Sequence, residues 1–165
     1  MKPYLNAFFF LLFCSSVCCA QNGNISNTNA LSLELGKTGL IFNLNYDHKF
    51  KNNYGLRIGA GSNFGSYVTV FSVGGGSYYL CGKKSNFLEL GADIQYLRVV
   101  EGSDDQRGLL STFVYPNYSI KTIYPSLNIG YRKYSGSLLF RIGFSPGIIK
   151  KEFIPGGYLS FGLTL

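Results

Sequence analysis

The sequence predicts an all-β chain that closes as an eight-stranded antiparallel up-and-down transmembrane β-barrel with a filled lumen. Three observations carry this expectation. The N-terminus reads as an export signal. The rest of the chain alternates apolar and polar residues at period two, with no sustained helical period. The polar parity is rich in Gly, Ser and Asn with an isolated charge per strand, which is not the composition of a soluble surface.

The first element is the signal. Lys2 forms the positive start, "AFFFLLF" (7–13) the apolar run, and "CSSVCCA" (14–20) the small-residue cleavage region. The apolar run is too short for a membrane-spanning helix. Cleavage after Ala20 leaves 21–165 as one barrel domain. Val17 precedes Cys18 and Phe13 precedes Cys14, where a lipidation signal wants a small residue. Loss of Cys14, Cys18 and Cys19 leaves Cys81, which excludes an intramolecular disulfide. The formal charge of +7 falls to +6 without Lys2. The basic residues are scattered in short pairs such as Lys83-Lys84 and Lys150-Lys151. They read as turn and loop charges facing anionic lipid headgroups, and no nucleic-acid partner is expected.

The strands follow in order. "LSLEL" (31–35) sets Leu31, Leu33 and Leu35 on one face. "LIFNLNYDHKF" (40–50) sets Phe42, Leu44, Tyr46 and Phe50 against Asn43, Asn45, Asp47 and Lys49. "GLRIGAG" (55–61) sets Leu56 and Ile58 against Arg57. "YVTVFSVGGGSYYLCG" (67–82) is long enough for a strand, but its three glycines hide the faces and mark a bulge or a close approach. "FLELGADIQY" (87–96) sets Leu88, Leu90 and Ile94 against Glu89 and Asp93. "IYPSLNIGYR" (123–132) sets Leu127 and Ile129 against Asn128 and Arg132. "GSLLFRIGFSP" (136–146) sets Phe140 and Ile142 against Arg141. "YLSFGLTL" (158–165) ends the chain with Leu159, Phe161, Leu163 and Leu165 on one face.

The connections form two populations. Short polar turns are expected at 51–53, 82–86 and 134–136. Longer irregular segments are expected at 62–66, 101–122 and 146–157, with 36–39 a short exception. An even strand count, tight turns at one end and long loops at the other match an outer-membrane barrel. Lipid cannot satisfy an open sheet edge, so the barrel must close. The apolar parity then faces lipid. Glu34, Asp47, Lys49, Arg57, Glu89, Asp93, Arg132 and Arg141 face the lumen as a structural charge network. Tyr46, Phe50, Phe64, Tyr67, Tyr96, Tyr131 and Phe144 supply interfacial aromatics. Eight strands leave an interior that side chains fill, so no open pore is expected.

The segments "GLIFNLNYDHKF" (39–50), "YLCGKKSNFLELG" (79–91), "GYRKYSGSLLFRIGFSP" (130–146) and "YLSFGLTL" (158–165) resemble the small outer-membrane β-barrel proteins of Bacteroidota. These are similar in architecture to the OmpA transmembrane domain and OmpX. The resemblance covers essentially the whole mature chain and is architectural. It implies location in the outer membrane of a diderm bacterium and insertion by the barrel-assembly machinery. Members usually close on an aromatic residue, whereas this chain ends on Leu165.

Chemistry is sparse. His48 lies on the lipid-side parity near a strand end, and Asp47 points to the other face, so no nucleophile–base–acid set forms. One His and one mature Cys are too few for zinc. Glu89 and Asp93 lie four apart, about 13 Å along a strand, which is too far to share a proton. They read as partners for Arg57, Arg132 or Arg141. Asp104-Asp105 reads as solvated loop charge, "SVGGGS" (72–77) lacks the lysine and helix of a phosphate loop, and Cys81 reads as passive. No catalytic residue, cofactor or metal is therefore expected. The expected role is structural or surface-interacting. Expected partners are outer-membrane lipids and lipopolysaccharide, the barrel-assembly machinery, and an extracellular partner at loop 101–122. The alternatives are a soluble exported lipocalin-like ligand-binding barrel, with the same strands turned inside out, and an outer-membrane lipid-modifying enzyme.

Overall fold

A computed structural model describes residues 28–37, 42–63, 68–101, 120–149 and 151–165. The expected signal (1–20), the central part of loop 101–122 with Asp104-Asp105, and the aromatics Phe64 and Tyr67 lie outside these described residues.

Ten segments form: β1 (Thr28–Gly36), β2 (Phe42–Lys49), β3 (Tyr54–Ser62), β4 (Val68–Lys83), β5 (Asn86–Glu101), β6 (Ile120–Ser135), β7 (Leu138–Phe144), β8 (Gly147–Ile149), β9 (Glu152–Ile154) and β10 (Gly157–Thr164). Every pairing is antiparallel. The order β5-β4-β3-β2-β1-β10-β7-β6 closes through the β5–β6 pairing. Closure removes both sheet edges.

The ten segments make eight barrel strands. Phe144 pairs with Ile129 and Gly147 with Ser126, so β7 and β8 share one register against β6. Phe144 also pairs with Gly157, and Gly147 with Ile154, so β9 and β10 continue each other as well. The interruptions fall at Pro146 and Pro155, which have no N–H to give the ladder. Hydrogen bonds bridge the gap: Leu127 N donates to Pro146 O (2.9 Å) and Ser145 N to Gly156 O (2.6 Å). The irregular loop expected over 146–157 is thus corrected to two strand extensions. Ile149 pairs with Glu152 across a two-residue turn, where Lys151 takes φ 72°. Neighbouring strands offer partners on both sides, so prolines and glycines interrupt the ladder without ending it.

The β4–β5 and β6–β7 hairpins are equally tight. Lys83 pairs with Asn86, and Ser135 with Leu138. Lys84 (φ 57°) and Gly136 (φ 58°) supply the left-handed residue that such turns need. These turns share one end of the barrel with the start of β1 and the end of β10, where Leu165 N donates to Asn29 O (2.9 Å). This is the turn end. The opposite, loop end carries Lys37, Asn63 and the β8–β9 turn.

The three glycines of β4 do not make a bulge. Their ladders run unbroken, with Gly74 opposite Gly59 and Gln95, and Gly76 opposite Arg57 and Asp93. They mark close approach instead: a Cβ on Gly76 would run into the Asp93 carboxylate. Alternation holds around the ring. Leu33, Leu44, Ile58, Ile94, Leu127, Ile142 and Phe161 are exposed, while Ser32, Asn45, Arg57, Asp93, Asn128, Arg141 and Ser160 are buried inside.

Candidate functional site

The lumen holds the charged residues. Glu34, Asp47, Lys49, Arg57, Glu89, Asp93, Arg132 and Arg141 are each 4% exposed or less. They come from six strands, β1, β2, β3, β5, β6 and β7, and all sit on the inward parity. Period-two geometry puts them there: Glu34, Arg57, Glu89, Asp93 and Arg141 are each flanked by outward apolar neighbours.

Glu89 is the centre. Arg57 Nη2 donates to its Oε1 at 2.7 Å, Arg132 Nε to Oε2 at 2.6 Å, and Arg141 Nη2 to Oε1 at 2.9 Å. Asp47 accepts from Arg57 Nε (3.0 Å) and Arg132 Nη2 (2.9 Å). Arg141 Nη1 reaches Glu34 Oε2 at 3.2 Å. Three guanidiniums and three carboxylates thus form one network across strands that are far apart in the chain.

Asp93 is not part of it. It pairs with Lys37 and accepts from Asn128 Nδ2 at 2.7 Å. Lys37 was not anticipated. It follows β1 in a glycine-flanked turn, takes φ 58°, and is buried. Lys49 is buried near the turn end, with Nζ donating to the Phe50 carbonyl at 3.2 Å.

Aromatic rings cover the arginines. Arg132 sits 4.2 Å and Arg57 5.1 Å from the Tyr78 ring centroid, and Arg141 sits 4.9 Å from that of Tyr158. Such contacts hold a guanidinium over a ring face at distances where the attraction is appreciable. The Tyr78 ring lies where a Cβ on Gly55 would be, so the bare glycine of β3 is covered by its β4 neighbour.

Two apolar layers bracket the network, and the alternation did not reveal them. Val70, Leu97, Val99, Tyr124 and Ile149 cluster inside the loop end. Tyr78, Leu80 and Phe87, with Tyr134 against them, cluster toward the turn end. A void of about 10 Å³ remains beside Glu34, Asn45, Arg57 and Asp93, room for about one water. Glu34 Oε1, Ser32 Oγ and Ser160 Oγ have no protein partner on adjacent β1 and β10.

The remaining candidates are dispersed. His48 Nδ1 lies 2.6 Å from Asn29 Oδ1, and its ring packs edge-on to Phe50 on the outer wall. Cys81 is buried in β4. Among the described residues, no group of three His, Cys, Asp or Glu side chains is placed to hold a metal. Both oxygens of Glu89 are occupied by guanidiniums, so the centre of the lumen acts as a charge clamp rather than as a proton-transfer pair.

No protein-family model matches the chain. No curated protein matches it. Solved structures match in shape. The N-terminal β-barrel domain of Pseudomonas aeruginosa OprF aligns with a TM-score of 0.64 at 8% identity, over 85% of this chain and 98% of that one. Neisserial surface protein A aligns at 0.49 with 16% identity, over 84% and 94%. The Yersinia pestis outer membrane protein Ail aligns at 0.45 with 11% identity, over 85% and 100%. At these identities the likeness is one of fold: an all-β, closed, antiparallel eight-stranded barrel.

Proposed function

We propose that the chain is an outer-membrane β-barrel protein of a diderm bacterium, with a structural or surface-interaction role and no open pore. One observation carries the reading. The wall is inverted, with exposed Leu, Ile and Phe around the outside and a buried ion-pair network within. Soluble monomers rarely expose contiguous apolar patches of more than a few hundred Å², whereas a barrel in lipid requires such a band. The export signal at 1–20 supports the location. The quoted hairpin segments support kinship with the small Bacteroidota barrels. The tight turns lie in the periplasm and loop 101–122 faces outward, where it meets an extracellular partner. Lipids and lipopolysaccharide surround the wall, and the barrel-assembly machinery inserts it. The chain is not an enzyme and takes no nucleic acid. The soluble lipocalin-like alternative requires the opposite facing, with apolar residues at the positions of Arg57, Arg132 and Arg141.

Membrane-extracted protein run on a gel with and without boiling tests the reading. A faster unboiled band, in protein that pellets with the outer membrane and needs detergent, is expected. Free solubility with no mobility shift would overturn it.

A further inference from the structure

We infer that the outer wall carries a binding site for a phosphate-bearing, multi-acyl lipid at the rim between β5 and β6. The inference rests on the membrane reading above and adds a specific ligand class and place. Arg98 and Lys121 are direct cross-strand partners. Both are exposed, and both share the outward parity of exposed Ile94 and Ile123. Directly opposite residues stand about 4.5–5.5 Å apart at Cβ, and like charges there are destabilising. Among the described residues neither makes an ion pair. An anionic group between these cations turns a repulsive pair into a binding site, and a phosphate offers several acceptor oxygens to two donors at once.

Below the cations the wall is hollow and apolar. A trough of about 820 Å³ runs over β3 to β6. Small outward residues, Gly75, Ser77 and Ala92, make its floor, because Gly75 pairs with Ile94 and Ser77 with Ala92. Ile58 and Leu127 stand beside it. Ala92 is six residues from Arg98. That is roughly 20 Å along the strand, or about 15 Å along the axis of a barrel tilted 35–45°. Half of a ~30 Å hydrocarbon core is the same distance. The trough thus lies within one leaflet of the cations, where acyl chains attached to a rim phosphate would run. A free phosphate uses only the rim, whereas a phosphorylated lipid uses rim and trough together.

The test uses the full mature chain in neutral detergent, with native mass spectrometry as readout. The probes are a bis-phosphorylated hexa-acyl lipid A, its dephosphorylated form, and inorganic phosphate. We expect a one-to-one complex with the phosphorylated lipid at least tenfold tighter than with the dephosphorylated one. Arg98→Gln with Lys121→Gln should remove that preference, and Ala92→Phe should weaken both lipids at least fivefold. Lys121→Gln alone serves where the double variant does not fold. Equal binding of the two lipids, or a preference that survives the rim variants, would overturn the site. Phosphate competing at equal concentration, with Ala92→Phe silent, would reduce it to a free-anion site and overturn the lipid assignment. Absence of the preference in a wild-type barrel that still shifts on heating rejects this site alone. A wild-type chain soluble without detergent rejects the membrane reading.

Discussion

Three guanidiniums converge on Glu89, so its charge is worth more than any single contact in the lumen. Glu89→Gln keeps the shape and removes the charge. Arg57, Arg132 and Arg141 then keep Asp47 and Glu34 as their ion-paired carboxylates among the described residues. Breaking a dry buried pair costs about 3–5 kcal/mol, because a charge is left without compensation. We expect a loss of that order in urea titrations of the barrel folded into lipid vesicles. An unchanged midpoint would mean that water, not Glu89, compensates the arginines. Arg141 and its neighbour Phe140 should behave differently from each other. Arg141→Leu strands Glu34, whose described partner it is, and Glu34→Leu in the same chain should restore part of the loss. Phe140 faces outward against Phe161, with ring centroids 5.2 Å apart. Phe140→Arg should cost about 2–4 kcal/mol if it lies near the bilayer midplane, and no lumen substitution should repair it.

At the scale of the strand pair, the β3–β4 hairpin depends on an absence. Gly55 leaves the space that the Tyr78 ring occupies, and that ring lies over Arg132 and Arg57. Gly55→Val suits a strand by propensity but overpacks this spot. A cost of about 1–3 kcal/mol is expected. Tyr78→Ala in the Gly55→Val background should cost less than Tyr78→Ala alone, a non-additivity that a double-mutant cycle in vesicles measures. Additive losses would mean that the ring and the glycine are independent. The paired interruptions at Pro146 and Pro155 belong to the same scale. They were legible as breakers but not as pauses within a ladder. Register on both sides comes from β6, β7 and β10, and no local signal in 146–157 announces it.

The barrel as a whole is closed, filled and sided. Among the described residues, apolar layers lie on both sides of the ion-pair network, and the void beside it is about 10 Å³. Purified protein in a planar bilayer should therefore give no large, stable conductance steps, and such steps would contradict the filled lumen. Sidedness follows from tight turns sharing one end with the start of β1 and the end of β10. A tag inserted at Gly102 should be accessible on intact cells and one at Lys84 should not. The reverse pattern would invert the topology.

The sequence by itself determined the facing of the strands that alternate, whereas the three glycines of β4 hid its faces. Parity is a local property: Arg57 lies between Leu56 and Ile58, and Arg141 between Phe140 and Ile142, so one residue of slip would expose every charge to the outer face. It also located the three tight turns, because Lys84, Gly136 and their polar neighbours are short-range signals. Only the tertiary structure decided the pairing within the lumen. Glu89 and Arg141 are 52 residues apart and Asp47 and Arg132 are 85 apart, and period two says nothing about which strands face each other across a closed ring. It assigned Asp93 to Lys37 rather than to an arginine. It also exposed the inner apolar layers, since Val70, Leu97 and Val99 are apolar residues on the inward parity, where alternation elsewhere reads polar. Closure brings distant residues into one small dry space, and their partners are set by that space rather than by their neighbours in the chain.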